Sequence, residues 1–166
     1  MWILHQERMI DMSLFGKGNI LNMTHHEGLP GYSDKTAITM ELDEENRCLI
    51  FKARAFKKPE IKLPLSKVIS SGNVNVAEIE QQSKVGRAIV GGLLFGNAGA
   101  IVGAMTAGEK QKIKTLYIIN YEGEAGTKAI VLHDNGSNMN FFKFQRKLQE
   151  YLSNQQTKEP TNEIVL

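Results

Sequence analysis

Three histidines and one cysteine are side chains that could do chemistry near neutral pH: His25, His26, His133 and Cys48. Adjacent side chains of a strand point to opposite faces, so His25 and His26 are poorly placed to share a metal ion. We expect them to be loop-edge histidines. Cys48 lies in an apolar stretch, which favours a packing role for its thiol. No hydrolase motif of serine, histidine and acid is present either. The sequence therefore predicts a protein that is not an enzyme, with no metal site, no cofactor and no small-molecule substrate.

The glycines of residues 91–103 are a second candidate, because glycine-rich loops can hold phosphates. A Walker-type loop needs a lysine and then serine or threonine directly after its last glycine. Here Gly96 is followed by Asn97-Ala98, and Gly103 is followed by Ala104-Met105. The βαβ unit that a dinucleotide site requires is not predicted around them. The sequence therefore does not support a nucleotide site.

A run of basic residues, opposed only by Glu60, is the third candidate. The predicted basic face consists of Lys52, Arg54, Lys57, Lys58 and Lys62. Such a face could meet anionic lipid headgroups, at about 1 kcal/mol for each basic residue, or an acidic protein surface. A solvated surface without a partner is the alternative. Nucleic acid is not expected, because no series of stacking aromatics is interleaved with these bases and the formal net charge is only +2.

Residues 88–107 form a glycine-rich apolar segment without a charged residue. Gly92 and Gly96 are four residues apart, as are Gly99 and Gly103, and in a helix this spacing lets a second backbone come close. A helix of this length would span about 30 Å, the thickness of a bilayer core. Three interpretations stay open: a transmembrane helix, a hairpin of two short helices that breaks at residues 96–99, and an irregular apolar loop. We favour the helical hairpin, which either extends the core or mediates association. The residues predicted to mediate association are Gly92, Leu93, Leu94, Phe95, Gly96, Gly99, Ile101, Val102 and Gly103.

Short strands and one helix are the elements that must position these residues. Alternating or β-branched apolar residues predict strands at residues 19–25, 36–43, 48–52, 61–65, 68–76, 113–121 and 128–133. Residues 36–53 read as a hairpin. Apolar residues at helical spacing predict an amphipathic helix over residues 140–152, with Phe144 on its buried face.

Composition limits the chain to one globular domain. It has 166 residues, of which 42% are hydrophobic and 23% are charged, and this balance is ordinary for a folded protein. A single cysteine permits no internal disulfide, and the apolar N-terminal piece is too short for a signal peptide. We therefore expect a cytoplasmic protein, with peripheral attachment to the inner membrane face as a variant. The predicted division is an N-terminal extension (residues 1–18), a domain (19–152) with an insert (85–109), and a flexible tail (153–166).

The order of elements carries a resemblance. Strand hairpins, then Ile61-Lys-Leu-Pro-Leu-Ser-Lys-Val-Ile69, then two late strands and a helix resemble a bacterial pleckstrin-homology-like (PH-like, or GRAM-like) domain. The insert from Gly86 to Gly96 and the pair Asn120-Tyr121 are similar to proteins of Gram-positive bacteria and their phages. The resemblance covers residues 19–152. It implies a mainly β (α+β) fold: a small antiparallel barrel with a C-terminal helix and an inserted glycine-rich helical hairpin.

The resemblance also implies binding rather than catalysis. Phosphoinositide-binding members carry several basic residues across their first two strands, where this chain has Lys35 alone. Our leading hypothesis is a binding module that docks to a protein partner or an anionic membrane, with association through the glycine-rich hairpin. The alternative is an inhibitor, encoded by a phage or mobile element, that occludes a host protein.

Overall fold

The computed structural model describes residues 18–83, 88–90, 93–95, 105, 107–136 and 138–156. The strands are β1 (Ile20–Glu27), β2 (Thr36–Asp43), β3 (Cys48–Ala53), β4 (Ile61–Pro64), β5 (Val68–Asn75), β6 (Ala88–Val90), β7 (Leu93–Phe95), β8 (Thr115–Gly123) and β9 (Gly126–Asp134). The helices are α1 (Val76–Ser83), α2 (Ala107–Lys112) and α3 (Phe141–Gln156), and a 3-10 helix spans Leu65–Lys67.

Strands β2 and β3 form the antiparallel hairpin that the sequence predicts for residues 36–53. From Ala37 onward the side chains of β2 alternate between half-buried and buried, as expected for a strand with one wet face. The Asp43 carboxylate accepts the backbone N–H of Asn46 at 2.9 Å and its side-chain amide at 2.8 Å. Arg47 completes the turn with a φ of 50°, in the left-handed region. The polar turn residues and the alternation of apolar residues therefore favour the same pairing of β2 with β3.

Seven strands form one antiparallel sheet in the order β4-β3-β2-β1-β9-β8-β5. The fold is mainly β as predicted, but the predicted barrel is wrong, because β4 and β5 remain the two unpaired edges of the sheet. Pro64 at the end of β4 has no N–H to donate to a further strand. The edge of β5 is covered by α3 instead, where Nε2 of Gln149 donates to the Ser71 carbonyl oxygen at 3.2 Å. A side chain of α3 therefore supplies a hydrogen bond to the backbone of this edge strand, on the side where a closed barrel would have a neighbouring strand.

The predicted C-terminal helix is present as α3, but it packs on the inner face of an open sheet instead of plugging a barrel, and it continues beyond Leu152 to Gln156. Phe144 and Leu148 are 0% exposed and belong to the inner core. The buried Tyr117 of β8 donates its hydroxyl to Oε1 of Gln145 at 2.6 Å. The helix is therefore joined to the sheet by apolar burial and by a partly buried hydrogen bond.

A second core on the outer face of β5, β8 and β9 was not predicted. Residues 116–120 of β8 are all buried, so the middle of this strand is covered on both faces. We call this cluster the outer core; it consists of Val74, Val76, Ile79, Met105, Leu116, Ile118 and Val131. A continuous apolar run, rather than alternation, is typical of a strand that is buried on both faces.

Helix α1 supplies part of this outer core at a place where the sequence predicts a longer strand β5. The side-chain Oδ1 of Asn75 accepts the backbone N–H of Ala77 at 2.9 Å. This is the bond of a helix N-cap residue. Glu78, three residues after Asn75, is the second half of a capping-box pattern. Both signals are visible in the sequence and end the strand at Asn75.

Residues 88–90 and 93–95 form the paired strands β6 and β7, so the predicted helical hairpin is wrong at these residues. The two strands are antiparallel, with Val90 paired to Leu93, Ile89 to Leu94 and Ala88 to Phe95. The three residues between Gly92 and Gly96 in the sequence are thus a strand and not part of a helix. Of the described residues, no helix is long and apolar enough to cross a membrane.

Candidate binding surface

Two loops meet at one end of the sheet. Residues 28–35 follow β1 and residues 54–60 follow β3, and both strands run antiparallel to β2, so their loops emerge on the same side. We call these two loops the loop surface. The Tyr32 hydroxyl donates to the Pro59 carbonyl oxygen at 3.0 Å. Lys58 Nζ donates to the Gly31 carbonyl oxygen at 2.6 Å and lies 5.3 Å from the Tyr32 ring centroid. These contacts hold the two loops together.

The structure divides the predicted basic face into two kinds of residue. Lys52 lies on β3, where its Nζ is 3.4 Å from a Glu41 carboxylate oxygen and 3.8 Å from one of Glu60. Lys58 joins the two loops through its hydrogen bond to the Gly31 carbonyl oxygen. The exposed members are Arg54, Lys57 and Lys62. The positive charge available to a partner therefore comes from the second loop and from β4 rather than from Lys52.

Phe56 is a residue of this surface that sequence reasoning missed. Its side chain is 69% exposed in the middle of the second loop, between Arg54 and Lys57. Because a large apolar side chain is exposed among basic residues, the surface of this loop is both positively charged and hydrophobic. The signal was the single aromatic residue in the run Arg54-Ala-Phe-Lys-Lys58.

Lys35, the basic residue of the first loop, is ion-paired. Its Nζ lies 2.6 Å from Oε1 of Glu109 in α2, and the hydrogen bond and charge of that carboxylate raise the pKa of Lys35 above its usual value. The bond links the loop surface to the helix that follows the glycine-rich segment. The positive charge of Lys35 is therefore partly neutralised within the domain.

His25 fixes the shape of the first loop. Nδ1 of its buried ring lies 2.9 Å from the Ser33 carbonyl oxygen, and Nε2 accepts the backbone N–H of Leu29 at 3.2 Å. This pair of partners requires a neutral ring with its proton on Nδ1. Burial lowers the pKa of His25 below its ordinary value, against a smaller opposite effect of the Ser33 bond.

The prediction of loop-edge histidines is wrong, since His25 and His26 are both buried within β1. The register of β1 against β9 shifts between His25 and Glu27, and such a bulge re-aims a side chain. His26 Nδ1 lies 2.7 Å from Asp34 Oδ1, and its ring packs 6.2 Å from that of His133. Within the described ranges, no group of three or more possible ligands could hold a metal ion.

Cys48 is buried as predicted, and burial raises the pKa of its thiol. A thiol with a raised pKa is a poor nucleophile at neutral pH. A packing role is the one that these observations support.

We expect the stability of the domain to fall as the pH drops below about 6.5, in part through His25. Its pKa is lower in the folded protein than the ordinary value of 6.5, so the unfolded chain binds the proton more readily. This contribution is fully present above the unfolded pKa and is lost as the pH falls through the interval down to the folded pKa. Urea unfolding at about pH 7.5 and about pH 5.5 measures the loss, in a range where Asp and Glu stay ionised.

The comparison for this prediction is His25→Gln, which removes the titrating group. The variant should be less stable than the wild type at the higher pH, because it loses the bonds to Ser33 and Leu29. It should also lose less stability on acidification. An equal loss in both proteins would contradict the assignment of this effect to His25.

The predicted association residues fall into two groups. Leu93, Leu94 and Phe95 form β7, which lies against β8 on the sheet and also contacts β5 and β9. The remaining residues, Gly92, Gly96, Gly99, Ile101, Val102 and Gly103, lie outside the described residues. Association through them stays a prediction.

A comparison with family models gives one match to this chain. Residues 30–122, more than half of its 166 residues, match the family described as glycine zipper containing PH domain. No curated protein and no solved structure gives a significant match. The match runs from the first loop through the glycine-rich segment into β8, and the structure adds β9 and α3 to it. The predicted origin in Gram-positive bacteria or their phages stays a prediction.

The match and the architecture agree with each other. PH domains are generally non-catalytic modules that bind proteins or phospholipids. A mainly antiparallel sheet with a C-terminal helix on its inner face is consistent with that fold. The predicted PH-like resemblance is thereby confirmed, and the chain belongs to the family of PH domains that contain a glycine zipper.

Proposed function

We propose that this domain is a binding module that docks to anionic membranes through its loop surface. The observation that carries the proposal is the exposure of Phe56 between Arg54 and Lys57. An apolar side chain flanked by cations suits a bilayer interface, where the ring enters the headgroup region and the charges meet acidic lipids. Anionic lipids are concentrated in the cytoplasmic leaflet, so the proposal places the protein peripherally at the inner membrane face.

Two energies of similar size support this assignment. Arg54 and Lys57 together would contribute about 2 kcal/mol at an anionic surface. Full burial of a phenylalanine side chain is favourable by about 1.5–3 kcal/mol. Because stable attachment generally requires two signals, the combination explains why an exposed aromatic side chain and basic residues occur in one loop.

We expect the domain to sediment with vesicles of phosphatidylcholine that contain about 30% phosphatidylserine, and not with pure phosphatidylcholine. The double variant Arg54→Gln/Lys57→Gln should weaken the partition coefficient about 30-fold at low salt, which corresponds to about 2 kcal/mol. Phe56→Ala should weaken it by about tenfold or more. High salt should reduce the electrostatic part, since the Debye length falls from about 10 Å at 0.1 M to about 3 Å at 1 M.

The matched control is Arg146→Gln/Lys67→Gln, which changes the net charge equally at exposed positions of α3 and the 3-10 helix. It should keep most of the binding. Equal losses in the two double variants would show a general effect of charge and contradict a role for the loop surface. A wild-type protein that binds neither kind of vesicle would contradict the membrane proposal. In that case an acidic protein surface, as in the inhibitor hypothesis, would be the target to test.

A further inference from the structure

Lys35 is the basic residue of the first loop, and it lies beside the start of the second loop. Its backbone N–H donates to the His25 carbonyl oxygen at 2.8 Å. Two residues further on, the Ala37 carbonyl oxygen accepts the backbone N–H of Arg54 at 2.9 Å. The side chain of Lys35 is 58% exposed. A membrane that meets Arg54 therefore lies close to the Lys35 side chain as well.

The backbone of Lys35 has a conformation that glycine adopts more readily. Its φ is 64°, and in this left-handed region the β-carbon of a lysine is strained whereas glycine is not. Strained backbone of this kind is found at binding and switch regions, where the surrounding structure compensates for it. The side chain is the part of Lys35 that glycine would lack. The outlier therefore points to a role for its ammonium group.

Glu109 of α2 is the partner of that ammonium group. The Lys35 Nζ and the Glu109 Oε1 are 2.6 Å apart, and the Glu109 side chain is 32% exposed. Ion pairs that are this open to water contribute little to the stability of a fold. Stabilisation of the domain is therefore a weak explanation for the pair, and control over the charge of Lys35 is a better one.

Helix α2 is held by contacts that do not involve the loop surface. The Lys110 Nζ lies 3.0 Å from Oε1 of Glu80 in α1. The backbone N–H of Ile113 donates to the Glu109 carbonyl oxygen at 2.7 Å, and Ile113 packs against the outer core. These contacts keep α2 in place when the bond between Lys35 and Glu109 opens. The ion pair can therefore open without unfolding of the domain.

An anionic headgroup would compete with Glu109 for Lys35. A phosphate or carboxylate that contacts Nζ comes close to the Glu109 carboxylate, and like charges repel each other. The lipid and Glu109 are thus alternative partners of one ammonium group. Because the coupling between two such events is reciprocal, removal of the Glu109 charge should strengthen lipid binding, and lipid binding should open the ion pair.

We propose that Glu109 masks Lys35 as an autoinhibitory contact, and that Lys35 becomes a lipid-binding residue of the loop surface when this ion pair opens. The inference rests on the proposed membrane function and adds a regulated cation to it. Opening also separates the first loop from α2. Docking on an anionic membrane is thereby coupled to the contact between the loop surface and this helix.

Four proteins test the mask on vesicles of phosphatidylcholine with about 30% phosphatidylserine: the wild type, Glu109→Gln, Lys35→Gln and the double variant. Glu109→Gln should raise the partition coefficient about fivefold, the effect of one added basic residue at about 1 kcal/mol. Lys35→Gln should lower it less than about twofold in the wild type, where Glu109 holds the charge, and about fivefold in the Glu109→Gln background. Circular dichroism checks that each variant keeps the fold.

The matched control is Glu45→Gln, which changes the net charge equally at an exposed position between β2 and β3, at the opposite end of the sheet. It should have little effect on the partition coefficient. An equal gain from Glu45→Gln and Glu109→Gln would show a general effect of charge and overturn the mask. If the wild type binds and the effects of Glu109→Gln and Lys35→Gln are additive, the mask is overturned and the membrane function stands. If neither the wild type nor Glu109→Gln binds vesicles of either kind, both proposals are overturned.

Discussion

Replacing Phe144 with alanine is expected to lower the free energy of unfolding by about 3–5 kcal/mol. Phe144 is 0% exposed and lies among the inner-core residues of the sheet and α3. The substitution removes a buried ring and leaves a cavity that the surrounding strands refill only in part. Urea unfolding followed by circular dichroism measures the change.

The control for this substitution is Phe56→Ala, which removes the same group from a site that is 69% exposed. We expect a change within about 0.5 kcal/mol, because truncation of an exposed side chain leaves no cavity. The same variant weakens vesicle binding in the proposal above, so it separates binding from stability. An unchanged unfolding midpoint for Phe144→Ala would contradict the packing of α3 on the sheet.

The second large effect is expected for Ile79→Ala, at about 2–5 kcal/mol. Ile79 is 0% exposed and is the contribution of α1 to the outer core. This cost would show that the outer face of β5, β8 and β9 is part of the cooperative fold. It would also show that α1 is held on the sheet by burial.

Equilibrium unfolding by urea is again the measurement, and Ile69→Ala is the control, because Ile69 is 48% exposed. The control should change the free energy by less than about 1 kcal/mol. If Ile79→Ala costs no more than Ile69→Ala, the outer core does not contribute to folding.

Local patterns in the sequence determined much of the sheet and the C-terminal helix. Alternation predicts residues 36–43 as a strand, and these are the limits of β2. Apolar residues at helical spacing predict α3, and Phe144 and Leu148 are on its buried face. Such predictions succeed because an element that buries one face has apolar residues at a regular spacing, every two residues in a strand and every 3.6 in a helix.

The tertiary structure decided what covers the second face of β8. Residues 116–119 are apolar enough for burial on both sides, but such a run does not say which element lies on either face. The glycines of the insert were equally ambiguous, since the freedom of glycine suits both a close helix contact and a hairpin turn. The pairing of Val90 with Leu93 shows antiparallel strands, not helices, on either side of Gly91-Gly92 in the sequence.

The residue types of the binding surface were predictable from the sequence, and their availability was not. Composition alone indicates a basic face, yet Lys52 is paired with Glu41 and Glu60 by the register of β3 and the path of the loop. Phe56 stands exposed because no element covers its loop within the described residues. Charge is a property of each residue, and so the sequence by itself determined it; which charges and rings remain open to a partner depends on contacts between residues that only folding brings together.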